Sequence, residues 1–399
     1  MRIGMILTSD FPPDSRVEKE ALSLINAGHE IFILCLKYKK NIKNEQFQGI
    51  HIIRNYLPNM VNKKLFAFII TIPIYSWIWR KWIRRFIREY KIEILHVHDL
   101  PLCGEGIRLA KESKIDIVAD MHENYPELIR VQRFSNTLMG KLLISKKKWY
   151  RKEKEWLNNI NNIICVEKEM KDRMSAFAKN AQFHIVPNTP NINHMLSKQR
   201  NNPDIANNQY GKFNLFYFGK TDNARGINVL IEAVEYIKID IPEIHVIIIG
   251  SGIALQDYKK QSAAKGLKNH ISFEGWRPEN ELEDYMKHVD ISIIPHIKSE
   301  QTDNSSPNKL FISMAFGKPV IVSNCNSIVR VVNDCNCGLV FENKNAKHLA
   351  EQVVKLFRDN KLRKEFSINA KEAIEKKYNW DVTVKPLVDL YAKLKDSTQ

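Results

Sequence analysis

The chain has 399 residues, too many for one ordinary hydrophobic core and suited to two domains of roughly 150 to 200 residues each. With 44% hydrophobic and 27% charged residues it is not a disordered chain. Its six scattered cysteines, with no C-x-x-C pair and no His at zinc-ligand spacing, exclude a disulfide scaffold and fit a reducing cytoplasm. The net charge of +16 is uneven: residues 1–187 carry 32 Lys and Arg against 20 Asp and Glu, and 188–399 carry 29 against 25, so the first part is the one that seeks an anionic neighbour.

Met1 runs directly into an apolar strand pattern that breaks at Asp10 and Pro12, too short for a signal peptide. From there, short β-branched runs alternate with longer amphipathic stretches, which predicts an α/β chain with parallel sheets covered by helices on both faces. The predicted strands of the first half lie near 2–8, 31–36, 51–53, 93–97, 115–119, 162–166 and 184–186. Those of the second half lie near 213–218, 244–249, 271–273, 291–294, 319–322 and 338–341. Residues 187–210, rich in Asn and Pro and without periodicity at their centre, are the predicted linker. Residues 65–79 are mostly apolar but too short to span a bilayer, and Pro73 interrupts them. Arg80, Lys81, Trp82, Arg84, Arg85 and Arg88 follow, and a second basic cluster runs over 146–152. Basic residues interleaved with tryptophan are expected to lie against anionic lipid headgroups; the plainer alternative is a core helix with a solvated basic end. No nucleic-acid-binding motif contains either cluster, so nucleic acid is not an expected partner.

In such sheets ligands bind beyond the carboxyl ends of the strands, so the loops that follow strands are where chemistry is expected. The first of them leads into a helix in which Ser15 and Glu18 have capping-box spacing and Gly28 is placed as terminator. Arg16, beside the free amides of that helix, is a candidate contact for an acceptor or donor oxygen, or else a surface arginine. Two more strands end in the polar clusters His96-Val97-His98-Asp99 and Asp120-Met121-His122-Glu123. A His-x-His pair without convincing third and fourth ligands gives no expected metal site. Histidines at strand ends suit hydrogen bonds to sugar hydroxyls or polarisation of an acceptor hydroxyl. His122 is the stronger candidate, His98 and Asp99 are placed for the acceptor, and His96 also reads as a satisfied core histidine.

In the second half, strand 213–218 ends in Gly219-Lys220-Thr221-Asp222-Asn223-Ala224-Arg225-Gly226 before an apolar helix pattern. Lys220 and Arg225, five residues apart in a glycine-bounded loop opening a helix, can both reach one pyrophosphate and stabilise it as a leaving group. Gly250, after strand 244–249, and the turn reaching Arg277, after strand 271–273, permit close approach to a base or ribose, although each alone is also an ordinary turn. The last such loop places Ser305, Ser306, Asn308 and Lys309 at the start of a helix, where small polar groups and amides meet sugar hydroxyls and a phosphate.

Together these stretches resemble the retaining glycosyltransferases of family 4, in the GT-B superfamily, of the kind that builds bacterial polysaccharides and glycans. The resemblance rests on D-S-R-V-E-K-E-A-L from Asp14, D-M-H-E from Asp120, V-P-N from Val186, F-G-K-T-D-N-A-R-G from Phe218, I-I-G-S-G from Ile248, F-E-G-W from Phe273, S-P-N-K-L-F from Ser306 and Y-N-W-D from Tyr378. It implies two Rossmann-like, doubly wound parallel-sheet domains facing across a cleft. Residues 1–187 would take the acceptor, 188–378 the nucleotide sugar, and a closing helix at about 379–399 would pack back on the first domain. It implies that Lys220 and Arg225 hold the donor diphosphate and that His122 lies beside the transferred sugar, with Gly219 a further candidate for donor binding. It implies no cofactor and no obligatory metal, with retention assisted by the leaving phosphate. One departure stands out: the family commonly carries a Glu-x7-Glu pair in the last loop whose second Glu holds the ribose, and here those positions are Asn304 and Ile312, the latter unable to accept a hydrogen bond.

The expected activity is transfer of a hexose from a nucleoside-diphosphate sugar to a lipid-linked or membrane-proximal glycan acceptor. The expected location is cytoplasmic, peripheral on the inner face of the membrane. The competing readings are a sugar-nucleotide 2-epimerase of the same architecture and a catalytically weakened binding subunit for glycan assembly.

Overall fold

The computed structural model describes all residues except 38–43, 68, 72, 132–144, 193–194, 196–201, 207, 209 and 397–399. Much of the predicted linker therefore lies outside the described residues. The chain divides into two compact units, one made of Met1–Pro187 with Val384–Gln399 and the other of Asn188–Thr383.

The first unit is built on eight strands: β1 Arg2–Asp10, β2 Glu30–Lys37, β3 Glu45–Phe47, β4 Ile50–Tyr56, β5 Ile94–His98, β6 Asp116–Met121, β7 Asn162–Cys165 and β8 Gln182–Ile185. They form one sheet in the order β3-β4-β2-β1-β5-β6-β7-β8. All pairings are parallel except β3 with β4, a hairpin closed by Gln48 and Gly49, both at positive φ. That two-residue turn matches the twist of the strands it joins. The edge strand β3 has no counterpart among the predicted strands, because Glu45-Gln46-Phe47 is too short and too polar to leave a period-2 signal.

The chain winds outward from β1 to β4, then returns to lay β5 on the other side of β1, so the strand order reverses between β1 and β5. The helix Ile74–Tyr90 buries Tyr75, Trp79, Ile83, Phe86 and Ile87 on one stripe and ends at Lys91, which takes the left-handed conformation. Burying each such side chain is worth about 1.5–3 kcal/mol. The opposite face exposes Ile74 and Trp77, with Met60 and Val61 exposed on the preceding helix. The basic clusters are partly neutralised: Arg80 pairs with Glu105, Arg84 with Glu112, Lys146 with Glu127 and Lys152 with Glu155. Among the described residues no helix is long and apolar enough to cross a membrane.

The second unit holds β9 Phe213–Phe218, β10 Ile244–Ile249, β11 Ile271–Gly275, β12 Ile291–Ile294, β13 Val320–Ser323 and β14 Gly338–Phe341, in the all-parallel order β11-β10-β9-β12-β13-β14. Strand β9 is buried along its whole length and β10 nearly so, which is how apolar strands sit when helices cover both faces of a parallel sheet. Here the strand order reverses between β9 and β12. Each unit is thus a doubly wound α/β sheet, and in each the crevice where ligands bind in such sheets is fixed by that reversal.

Candidate functional site

In the first unit the loop after β1 enters the helix Ser15–Asn26. The residue that caps it is Asp14, one position before the expected Ser15: its extended backbone (φ −144°) lets the carboxylate accept from the N–H groups of Arg16 and Val17, both at 3.2 Å. A carboxylate there also answers the positive end of the helix, which a hydroxyl does not. Arg16 turns inward. It is 3% exposed, and its guanidinium donates to the Val186 carbonyl at 2.9 Å and to Asp120 Oδ1 at 3.1 Å, and lies 2.8 Å from Glu20 Oε1. Arg16 is therefore a holder of two buried carboxylates, Glu20 one helical turn below it and Asp120 at the end of β6.

The other oxygen of Asp120 faces three imidazoles. Oδ2 lies 2.8 Å from His122 Nε2, 3.2 Å from His98 Nδ1 and 3.5 Å from His96 Nε2. His96 and His98 are consecutive inward positions of β5, and Tyr391 Oη, from the helix Lys385–Asp396, lies 2.8 Å from His96 Nδ1. Asp99, at φ 61°, accepts from the backbone N–H of His122 at 3.4 Å and holds its carboxylate 3.9 Å from His122 Nδ1.

Burial pushes the Asp120 carboxyl up, but Arg16 and His122 outweigh it and hold it well below the ordinary range. Glu20 moves the other way, raised by burial beside an Asp120 that already carries the charge. Burial opposes charge on His122 as well, yet Asp120 and Asp99 raise it to about 9, while burial and His96 push His98 down to about 3. The structure thus brings together Arg16, His98, Asp99 and His122, at the β1–β5 reversal. Sequence reasoning passed over Glu20, although its i+4 spacing from Arg16 was readable, and Tyr391, which gave no signal.

In the second unit the loop after β9 takes Gly219 at φ 117° and Gly226 at φ 68°, and Gly226 caps the helix Ile227–Asp240. The loop after β10 lies against it: a Cβ on Gly250 would sit 1.8 Å from the Gly219 carbonyl oxygen, so neither a side chain nor its φ of 142° is possible there for another residue. Lys220 is exposed at the rim of this loop, and Arg225, in the short 3-10 turn Asn223–Arg225, points its Nη1 to His296 Nε2 at 3.5 Å. Lys309, second residue of the helix Asn308–Ala315, is 8% exposed with its Nζ 3.9 Å from the centre of the Tyr217 ring and beside Gly219.

No hydrogen-bond partner reaches Lys309 Nζ among the described residues, and the nearest charge that bears on it is another cation: burial first, then Arg225, lower its ammonium well below the lysine range. Burial, Lys309 and Arg225 likewise keep His296 neutral. Ser306 is buried, its Oγ without a hydrogen-bond partner among the described residues, Ser305 is half-buried and Asn308 exposed. Arg277, by contrast, is drawn towards Glu274 at 3.4 Å and Glu281 at 3.9 Å. Asn304 is buried, its side chain bonded to the Glu300 carbonyl, and Ile312 packs into an apolar cluster with Phe216, Phe218, Ile247 and Tyr285. Gly219, Arg225, His296 and Lys309 therefore converge at the β9–β12 reversal, with Lys220 at its edge. Tyr217 and His296 were not anticipated; His296, two residues past β12, was legible from its place after a strand.

Two sequence families match the chain in succession: "Glycosyltransferase Family 4" over residues 16–193 and "Glycosyl transferases group 1" over residues 198–373. The chain belongs to the family 4 glycosyltransferases, with the GT-B fold. A phosphatidyl-myo-inositol mannosyltransferase of Mycobacterium leprae is 24% identical over 311 residues, covering 77% of this chain and 75% of that protein. The alpha-monoglucosyldiacylglycerol synthase of Streptococcus pneumoniae is 21% identical over 362 residues, covering 86% and 75%. Among solved structures, the sucrose-phosphate synthase of Thermosynechococcus elongatus superposes with a TM-score of 0.78 over 99% of both chains at 17% identity, a likeness of fold. As a glycosyltransferase of GT-B type, the protein is a transferase, and the epimerase and binding-subunit readings are not favoured by these relationships.

Proposed function

We propose that this glycosyltransferase transfers a hexose, with retention, from a nucleoside-diphosphate sugar to a lipid-linked or membrane-proximal glycan acceptor. The observation that carries the donor half is the buried, unpaired Lys309 ammonium beside Arg225 in a glycine loop at a helix N-terminus. A buried cation without a counter-ion costs folding energy and is offset only when an anion arrives. A diphosphate supplies that anion, and Lys220, Arg225 and Lys309 then neutralise the charge that grows as the glycosidic bond breaks. Ser305, Ser306 and Asn308 would meet phosphate or sugar oxygens, Gly250 would let the nucleoside approach, and no metal is needed at the diphosphate. With Ile312 in an apolar cluster, the ribose would be held by backbone groups or by Glu274 and Arg277, which lie at the end of β11.

For the acceptor half, His122 and Asp99 are the members of the first unit's cluster that remain partly exposed, at 17% and 35% of their side chains, with Asp99 beside His122 Nδ1. It would orient or polarise the sugar or the acceptor hydroxyl, while the leaving phosphate takes the acceptor's proton on the same face of the ring. The mycobacterial relative is named for a phospholipid and the streptococcal one for the glycolipid it makes, and the exposed Met60, Val61, Ile74 and Trp77 beside exposed Lys81, Arg85 and Arg88 suit peripheral binding at the anionic inner face of the membrane. The test is a donor screen that follows released nucleoside diphosphate across common activated sugars, with membrane extract as acceptor and the anomeric configuration of the product read by NMR. Diphosphate release that requires the extract and gives a retained anomer is the expected result; conversion of the donor without any acceptor, or an inverted product, contradicts the reading.

A further inference from the structure

The carboxylates and imidazoles of the first unit are arranged as ligands are arranged around an ion. Glu20, His98, Asp120 and His122 each offer one donor atom, and all four atoms lie within 4.8 Å of one another. A tetrahedral zinc site with bonds of about 2.0 Å has ligand atoms about 3.3 Å apart. Here His98 Nδ1 lies 3.3 Å from His122 Nε2 and 3.2 Å from Asp120 Oδ2, His122 Nε2 lies 2.8 Å from Asp120 Oδ2, and Glu20 Oε2 is 4.0 Å from His98 Nδ1. At 0% exposure Glu20 Oε2 and His96 Nε2 find no hydrogen-bond partner among the described residues, Glu20 Oε1 being held by the Arg16 guanidinium, and that His96 nitrogen is 3.9 Å from Glu20 Oε2 and 3.5 Å from Asp120 Oδ2.

The surrounding groups orient these donors as supporting residues of metal sites do. Arg16 lies against Oε1 of Glu20 and Oδ1 of Asp120, which turns the other oxygen of each carboxylate towards the imidazoles. Tyr391 Oη sits on His96 Nδ1, leaving Nε2 as the atom that faces the cluster. Two carboxylates and two or three imidazoles are a donor set for a divalent first-row ion.

We propose that the first unit contains a binding site for one divalent transition-metal ion of the zinc class, formed by Glu20 Oε2, His98 Nδ1, Asp120 Oδ2 and His122 Nε2, with His96 Nε2 as an additional neighbour. The ion is buried and separate from the donor diphosphate. Bound to Nε2 it fixes the His122 ring with the proton on Nδ1, the atom beside Asp99, so it acts as a positioning device. That last clause rests on the function proposed for His122, whereas the site itself does not.

The test uses the full chain stripped with a chelator, dialysed, and titrated with zinc chloride by calorimetry, with cobalt(II) as a spectroscopic substitute. One equivalent of zinc per chain, a rise in unfolding temperature on loading, and the intense visible absorption of four-coordinate cobalt are expected. His98→Ala and Glu20→Gln should each weaken zinc binding by at least about tenfold, and His184→Ala, in the same unit, should leave it unchanged. Should His98→Ala fail to fold by circular dichroism, the near-isosteric Glu20→Gln decides. Binding that is absent in the wild type, or equal in the wild type and both ligand variants, overturns the proposal. Calorimetry of the stripped protein with nucleoside diphosphates reads the second unit separately, so failure of either idea is distinguishable from failure of the other.

Discussion

At the scale of single residues, Lys309 sets function against stability. Its amine is buried beside Arg225 with no hydrogen-bond acceptor among the described residues, so a charge on it is a cost in the free protein. The sign follows from the lowered pKa: as pH falls below 10.5 the unfolded chain binds a proton that the folded chain resists, and the penalty grows until the pH reaches the buried group's own pKa. Lys309→Met should therefore raise the stability to urea by about 1–3 kcal/mol, with the gain shrinking as the pH rises towards 10.5, and should at the same time weaken nucleoside-diphosphate binding. A variant that is both less stable and equally able to bind would show that the amine has an internal partner and no ligand. At a pH between the lowered pKa and 10.5, diphosphate binding to the wild type should take up a proton, seen as a binding heat that changes with the ionisation enthalpy of the buffer, and the Lys309→Met heat should lack that contribution.

At the scale of elements, the helix Ile74–Tyr90 carries two tryptophans with opposite fates. Trp79 is 0% exposed and lies in the core, whereas Trp77, two residues earlier and on the other side, is 60% exposed. Trp79→Ala should cost about 3–5 kcal/mol of stability, measured by urea unfolding. Trp77→Ala should leave stability nearly unchanged and reduce co-sedimentation with anionic vesicles at low salt; vesicle binding equal to that of the wild type would leave Trp77 as an ordinary surface residue.

Such elements mark what the sequence discloses. Thirteen of the strands were readable because buried parallel strands are continuous β-branched runs bounded by Gly, Pro and Asn. The edge strand β3 was not readable, since its pairing comes from the turn at Gln48-Gly49 and its three residues carry no pattern. The donor loop was legible because Lys220 and Arg225 are local in sequence. The buried cluster of the first unit was legible only in pieces, because Arg16 meets Asp120 across 104 residues and His96 meets Tyr391 across 295, and no local pattern encodes either contact.

At the scale of the whole molecule, two sheets of the same winding carry unlike chemistry at the same topological place. Where β1 and β5 diverge, the first unit gathers three carboxylates, three histidines and an arginine, acids and bases in contact with one another. Where β9 and β12 diverge, the second unit gathers Arg225, turned to His296, and Lys309, whose ammonium meets no acceptor among the described residues. The first cluster carries its own acids; the second needs an anion from outside. This asymmetry is the reason to place the nucleoside diphosphate on the second unit and the groups that meet the acceptor on the first, and it makes the cations of the second unit the central claim.

The most direct measurement is calorimetric titration of the wild type, Lys220→Ala and Arg225→Ala with the nucleoside diphosphate released in the donor screen, alongside turnover and circular dichroism of each. Loss of one charge-assisted phosphate contact is worth about 1.5–3 kcal/mol, so each variant should keep its fold, bind roughly 10- to 100-fold more weakly and turn over correspondingly less. Folded variants that bind and turn over as the wild type does would contradict the account.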